Sequence, residues 1–162
     1  MKNTDKTICV VGLGYIGLPT ASLLGTKGYT VYGVDSSQHV VDTINKGGIH
    51  IVEPDLDIMV KSAVQAGNLH ASLEAQEADV FIIAVPTPFK GEHEPDLSYV
   101  ESATRMIAPF VKPGNVIILE STSPVGTTDG WMALRPALMR DLDNTRPVGS
   151  SRKSSANLPA SS

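Results

Sequence analysis

The sequence predicts a doubly wound α/β fold with a parallel sheet, of the Rossmann type. Three observations carry that prediction. An apolar run, Ile8-Cys9-Val10-Val11, opens into Gly12-Leu13-Gly14-Tyr15-Ile16-Gly17. Apolar strands then alternate with helix-patterned segments along the chain, as βα units require. An acid, Asp35, also ends the second strand, about 20 residues beyond the glycine turn.

Each element follows in order. Four apolar residues without polar alternation suit a strand buried on both faces. Gly12 permits the tight turn, Gly14 lets a pyrophosphate approach the backbone, and Gly17 lets the following helix pack closely. That helix turns its N-terminus toward the anion. It is expected over Leu18 to Leu24, stopped by Gly25. Thr30 to Val34 reads as the second strand. Asp35 is placed to accept hydrogen bonds from an adenosine ribose, and its charge would repel a 2′-phosphate, favouring NAD over NADP. The competing reading makes Asp35 a helix cap, a job Ser36 or Ser37 could also do.

Gln38 to Lys46 forms a short helix closed by Gly47-Gly48, and Ile49 to Asp55 a connecting loop. Leu56, Met59, Val60, Ala63 and Val64 recur with helical spacing, with Gly67-Asn68 as the stop. Leu69 to Ala71 suits a brief strand. Val80 to Val85 suits a stronger one, ended by Pro86-Thr87-Pro88-Phe89, where two prolines forbid both helix and further ladder. Ligands bind at the carboxyl ends of parallel strands, so Thr87 is a cofactor-contact candidate, with a proline-rigidified turn as the alternative. Lys90 to Asp96 reads as a solvated polar loop; its Glu, His and Asp share no spacing that would converge them on a metal, and no metal site is expected. Ser98 and Glu101 are spaced as a capping box for a helix burying Val100, Ala103, Ile107 and Phe110. Lys112-Pro113-Gly114 leads into an apolar strand, Val116 to Leu119. The hydroxyl-rich end beyond it runs to Thr128, where Thr127 or Thr128 could cap a helix or offer donors to the cofactor.

Composition bounds the rest. The 162 residues, 41% hydrophobic and 19% charged, suit one soluble globular domain. A formal charge of -4 with scattered Lys and Arg gives no footprint for nucleic acid. No run is long enough for a membrane span and no secretory segment opens the chain, so a cytoplasmic location is expected. The one cysteine, Cys9, excludes an internal disulfide and suits a buried core position better than a nucleophile.

Four stretches together resemble the UDP-glucose/GDP-mannose 6-dehydrogenase family: Val11 to Thr20, Gly48 to Leu56, Ala84 to Gly91 and Glu120 to Gly126. The likeness covers about Thr7 to Thr128. The first stretch marks dinucleotide binders generally, and the middle two are far more specific. The resemblance implies NAD as cofactor, with contacts at Tyr15, Ile16, Asp35, Thr87 and Thr128, and Thr122 near the nicotinamide and the reacting carbon. It also implies a UDP-sugar substrate, oxidised at C6 from alcohol to carboxylate, and a homo-oligomer.

Family chemistry runs through a thiohemiacetal and thioester on a cysteine, assisted by a lysine, in segments that would follow Thr128. No catalytic residue is therefore assigned in this chain, and the UDP-sugar would be a partner only where that half is supplied. Residues 1–128 are expected to form the NAD-binding domain. Residues 129–162 change character, with Pro136 interrupting any helix and a Ser-rich end, and are expected to be a divergent, disordered tail. The expectation is a reading frame lost near Thr128 or a gene otherwise truncated. Three functions stay open: a dehydrogenase's cofactor domain, an NAD-binding module without turnover, and a defective product exposing apolar surface.

Overall fold

The computed structural model describes residues 5–90 and 94–120. The strand β1 (Thr7–Val11) leads through the glycine turn to helix α1 (Gly17–Thr26), then β2 (Thr30–Val34), α2 (Gln38–Asn45), α3 (Leu56–Gln65), β3 (Leu69–Ser72) and β4 (Val80–Ile83). After these come β5 (Phe89–Lys90), β6 (Glu94–Pro95), α4 (Ser98–Ile107), a 3-10 turn (Ala108–Phe110) and β7 (Val116–Leu119). Five strands form one sheet in the order β3-β2-β1-β4-β7, and every pair in it is parallel. This is the doubly wound arrangement the sequence predicts.

Strand side chains alternate between two faces, and each face has its own core. On one, Ile8, Val10, Val31, Leu69 and Ile82 pack with Leu18 and Ala21 of α1, Val40, Val41 and Ile44 of α2, and Leu56, Val60 and Ala63 of α3. On the other, Cys9, Val11, Val34, Phe81 and Ile83 pack with Ala103 and Ile107 of α4. Phe81, Leu18 and Ile107 are fully buried, and removing such a side chain from water stabilises by about 1.5–3 kcal/mol each. β7 is less enclosed: Val116 and Ile118 are exposed.

Several expectations are corrected. α1 does not stop at Gly25; it runs to Thr26, and Gly28, with φ +91°, is the left-handed residue that turns the chain out. Gly25 is small for a packing reason: a Cβ there would lie 2.8 Å from that of Ala63 on α3. The polar loop after Phe89 contains an antiparallel pair, Phe89 opposite Pro95 and Lys90 opposite Glu94. Ser98 is not an N-cap, because the helix already begins there, after Leu97. The Asp96 carboxylate instead accepts from the Ser98 N–H at 3.0 Å, while Glu101 pairs with Arg105 one turn on at 2.8 Å.

Two polar clips fix the periphery. The Asn45 side-chain amide donates to the Ala71 carbonyl and accepts from the Ala71 N–H, both at 2.9 Å. Asp79, at the start of β4, accepts from the Lys6 ammonium at 2.8 Å and the Thr7 N–H at 2.9 Å. The Lys6 and Thr7 donors hold its carboxyl down at about 2.

Candidate functional site

The glycine turn sits at the carboxyl end of β1, between β2 and β4. Gly12 has φ +93°, and its N–H donates to the Val34 carbonyl at 2.8 Å. A Cβ there would stand 2.6 Å from the Ala84 carbonyl oxygen, so position and conformation both demand glycine. A Cβ at Gly17 would overlap the carbonyl oxygen of Gly12; glycine lets α1 start directly against the strand end. Gly14 differs, because open space faces it. Backbone is thereby presented where a ligand can reach it. α1 starts at Gly17, after Ile16 at the cap position, with no side-chain cap and no acid in its first turn, a helix terminus suited to an anion.

Leu13 was not among the candidate residues, yet it fixes the turn. It is fully buried, and a Cβ at Gly33 in β2 would come within 2.9 Å of its Cδ2. A glycine amid the β-branched residues of β2 was the available signal for that close approach.

Asp35 bridges the turn and the second helix. Its Oδ2 accepts from the Leu13 N–H at 3.1 Å, and its Oδ1 from the Ser37 N–H at 2.9 Å. The cap of α2 is Ser37, whose hydroxyl accepts from the Val40 N–H at 3.5 Å. Asp35 therefore shapes the approach to α2 without being its cap, and each carboxylate oxygen keeps acceptor capacity for a diol.

These parts meet in one cleft of about 810 Å³, lined by Gly14, Tyr15, Ile16, Asp35, Ser36, Ala84, Val85, Pro86, Thr87, Tyr99 and Glu120. It lies between the ends of β1 and β4, where successive connections depart to opposite sides of the sheet, the usual crevice for a dinucleotide. Tyr15 and Ile16 are 65% and 52% exposed, leaving apolar surface for a planar ring or ribose to cover. Gly14, Tyr15, Ile16, Asp35 and Thr87, all sequence candidates, line this cleft, while Gly12 and Gly17 form its support. Thr122 and Thr128 lie outside the described residues, as do the 128/129 domain boundary and the tail. Tyr99 and Glu120 are cleft residues outside the sequence candidates: Tyr99 belongs to no recognisable spacing and reaches the cleft through the placing of α4, whereas Glu120 had a signal in its position just beyond the carboxyl end of β7.

The residues fit a dinucleotide: an open glycine, an uncapped helix terminus and an acid with spare acceptor capacity surround a cleft of suitable volume. The sequence matches the NAD binding domain of the UDP-glucose/GDP-mannose dehydrogenase family over residues 6–145. The chain belongs to this family. Its cofactor is NAD.

Relatives agree. The chain is 61% identical over 136 residues to UDP-N-acetyl-D-mannosamine dehydrogenase of Escherichia coli K12, covering 82% of this chain and 32% of that protein. It is 58% identical over 137 residues to an NDP-N-acetyl-D-galactosaminuronic acid dehydrogenase of Ralstonia nicotianae, with the same coverage of 82% and 32%. Among solved structures, UDP-N-acetyl-mannosamine dehydrogenase from Staphylococcus aureus superposes with a TM-score of 0.77 at 40% identity, over 83% of this chain and 32% of that one. GDP-mannose dehydrogenase from Pseudomonas aeruginosa gives 0.74 at 31% identity, over 86% and 33%. The chain thus spans about a third of the length of these family members.

Other chemistry-bearing groups stand apart from the cleft. Cys9 is fully buried in mid-strand, and burial pushes its thiol up to about 11, against a smaller opposing effect from the Gln76 backbone. Among the described residues, no three His, Cys, Asp or Glu side chains could hold a metal ion, and no helix is long and apolar enough to cross a membrane.

Proposed function

We propose that this chain is the NAD-holding part of a UDP-N-acetyl-D-mannosamine 6-dehydrogenase, with its cofactor lying along the cleft. The observation that carries the reading is the convergence of Gly14, Tyr15, Ile16, Asp35 and Thr87 on one cleft at the crossover of the sheet. Asp35 would take the adenosine ribose, the start of α1 the pyrophosphate, and the Thr87 loop the half toward the nicotinamide, with Thr122 and Thr128 completing that end. NAD, when bound, accepts the hydride released from the sugar's C6. This chain's residues bind and orient it.

The mannosamine assignment rests on the 61% identity to the Escherichia coli enzyme. The galactosaminuronic acid relative, at 58%, supports an alternative N-acetylhexosamine substrate of the same class. We further infer that the chain alone holds NAD without turning over, because its sole cysteine is buried and protonated at neutral pH, and oxidation to the acid in this family needs an accessible thiolate.

Melting the purified chain across an NAD titration tests the first part. Binding to the native state adds about 2.7 kcal/mol of stability when NAD is a hundredfold over Kd, and the melting temperature rises with it. A rise abolished in Asp35→Ala is expected, and no rise in a cooperatively melting chain would refute the reading. Sustained NADH production from UDP-N-acetylmannosamine and NAD would refute the second part.

A further inference from the structure

The cleft holds two carboxylates at opposite ends. Asp35 ends β2, and Glu120 follows β7; β1 and β4 lie between those strands, a separation of about 14 Å at the usual strand spacing. The Glu120 backbone is pinned by its N–H donating to the Ile83 carbonyl at 2.8 Å. Its carboxylate accepts from the Thr20 hydroxyl on α1, at 3.4 and 3.5 Å to its two oxygens. No Lys, Arg or His is among the described residues lining the cleft.

We propose that Glu120 makes this cleft prefer the oxidised dinucleotide over the reduced one. The inference rests on the cofactor reading above. With the adenosine ribose at Asp35, a dinucleotide crossing the sheet at the switch point carries its pyridine ring toward β4 and β7. The oxidised ring is a pyridinium cation, and the reduced dihydropyridine is neutral. A carboxylate at that end attracts the first and gives the second no compensating gain, while the pyrophosphate repels it equally in both. The difference in affinity therefore isolates the ring's charge. Held toward α1 by Thr20, the carboxylate contributes as a nearby field, with no direct contact needed. A family member with such a residue would release NADH readily after hydride transfer.

The test is the ratio of dissociation constants for NADH and NAD⁺, measured on the full chain by calorimetry. Glu120→Gln keeps an acceptor for Thr20 and removes only the charge. It is expected to lower the NADH/NAD⁺ ratio about three- to tenfold, as a screened near-surface charge pair would. Glu120→Lys should lower the ratio further, and tests the same sign should the Gln variant fail to fold. Wild-type binding of both forms with a ratio unchanged in both variants would overturn this inference and leave the cofactor reading intact. Wild-type chain that melts cooperatively yet binds neither form would overturn the cofactor reading itself.

Discussion

Gly17 and Gly12 touch backbone to backbone: the space where a Gly17 side chain would begin is filled by the Gly12 carbonyl oxygen. Strand end and helix start are thus fixed against each other at the site's centre. A backbone oxygen in a turn pinned to β2 by the Gly12 N–H to Val34 carbonyl bond cannot swing aside as a side-chain tip can.

Gly17→Ala should therefore cost about 3 kcal/mol or more, beyond the ordinary range for overpacking. Alanine's better helix propensity offsets only about 1 kcal/mol of that. Chemical denaturation of the two chains side by side gives the difference. A loss below about 1 kcal/mol would show that α1 can retreat from the strand.

Asp35→Ala removes the acceptor for two backbone N–H groups, of Leu13 and Ser37. A stability loss of about 1–3 kcal/mol is expected from the stranded donors, together with a fall in NAD affinity. NADPH affinity should fall less or rise, since the charge opposing a 2′-phosphate has gone. Equal losses for both dinucleotides would argue against Asp35 facing the ribose.

Gly25→Ala places a methyl 2.8 Å from the Ala63 Cβ, so α1 and α3 must separate. The expected net cost is about 1–2 kcal/mol after the gain in helix propensity. Adding Ala63→Gly should recover part of it, and a double-mutant cycle measures that coupling. Strict additivity would mean the two helices do not meet at this pair.

Asp79 gives a pH dependence. Its folded carboxyl is held down at about 2, below the ordinary range of an aspartate, so its contribution is present above the unfolded value and lost as pH falls through the folded one. Asp79→Asn should be less stable than the wild type at neutral pH, with the gap closing between about pH 4 and pH 2. Thermal melts at fixed ionic strength across that window check it. A gap that persists at pH 2 would assign the effect to packing.

The central part of the fold was legible because its signals are local. The apolar strands, the glycine turn and the position of Asp35 after β2 can be read from local spacing alone. What was missed depends on distant partners. Gly25 looks like a helix stop until Ala63 is seen against it, and Gly28 is the residue whose backbone turns. Ser98 and Glu101 have the spacing of a capping box, yet Asp96 offers a carboxylate two residues before Ser98 and takes its N–H. Leu13 reads as turn filler until Gly33 makes room for it. At the site, cleft residues on the glycine turn and after β4 could be named in advance, whereas Tyr99 becomes a cleft residue only through the placing of α4, and Glu120 only once β7 is seen to lie beside β4. Thr122 and Thr128, expected from family likeness, lie outside the described residues.

The Asn45 amide has a consequence beyond tying α2 to β3. In pairing with both the N–H and the carbonyl of Ala71, it imitates one residue of a neighbouring strand on the outermost member of the sheet. Those are the groups another chain would need in order to add itself there. With the Ala71 groups already satisfied by Asn45, the middle of β3 has no free N–H and carbonyl pair at that residue to offer an incoming strand, one of the ways a sheet edge is blunted.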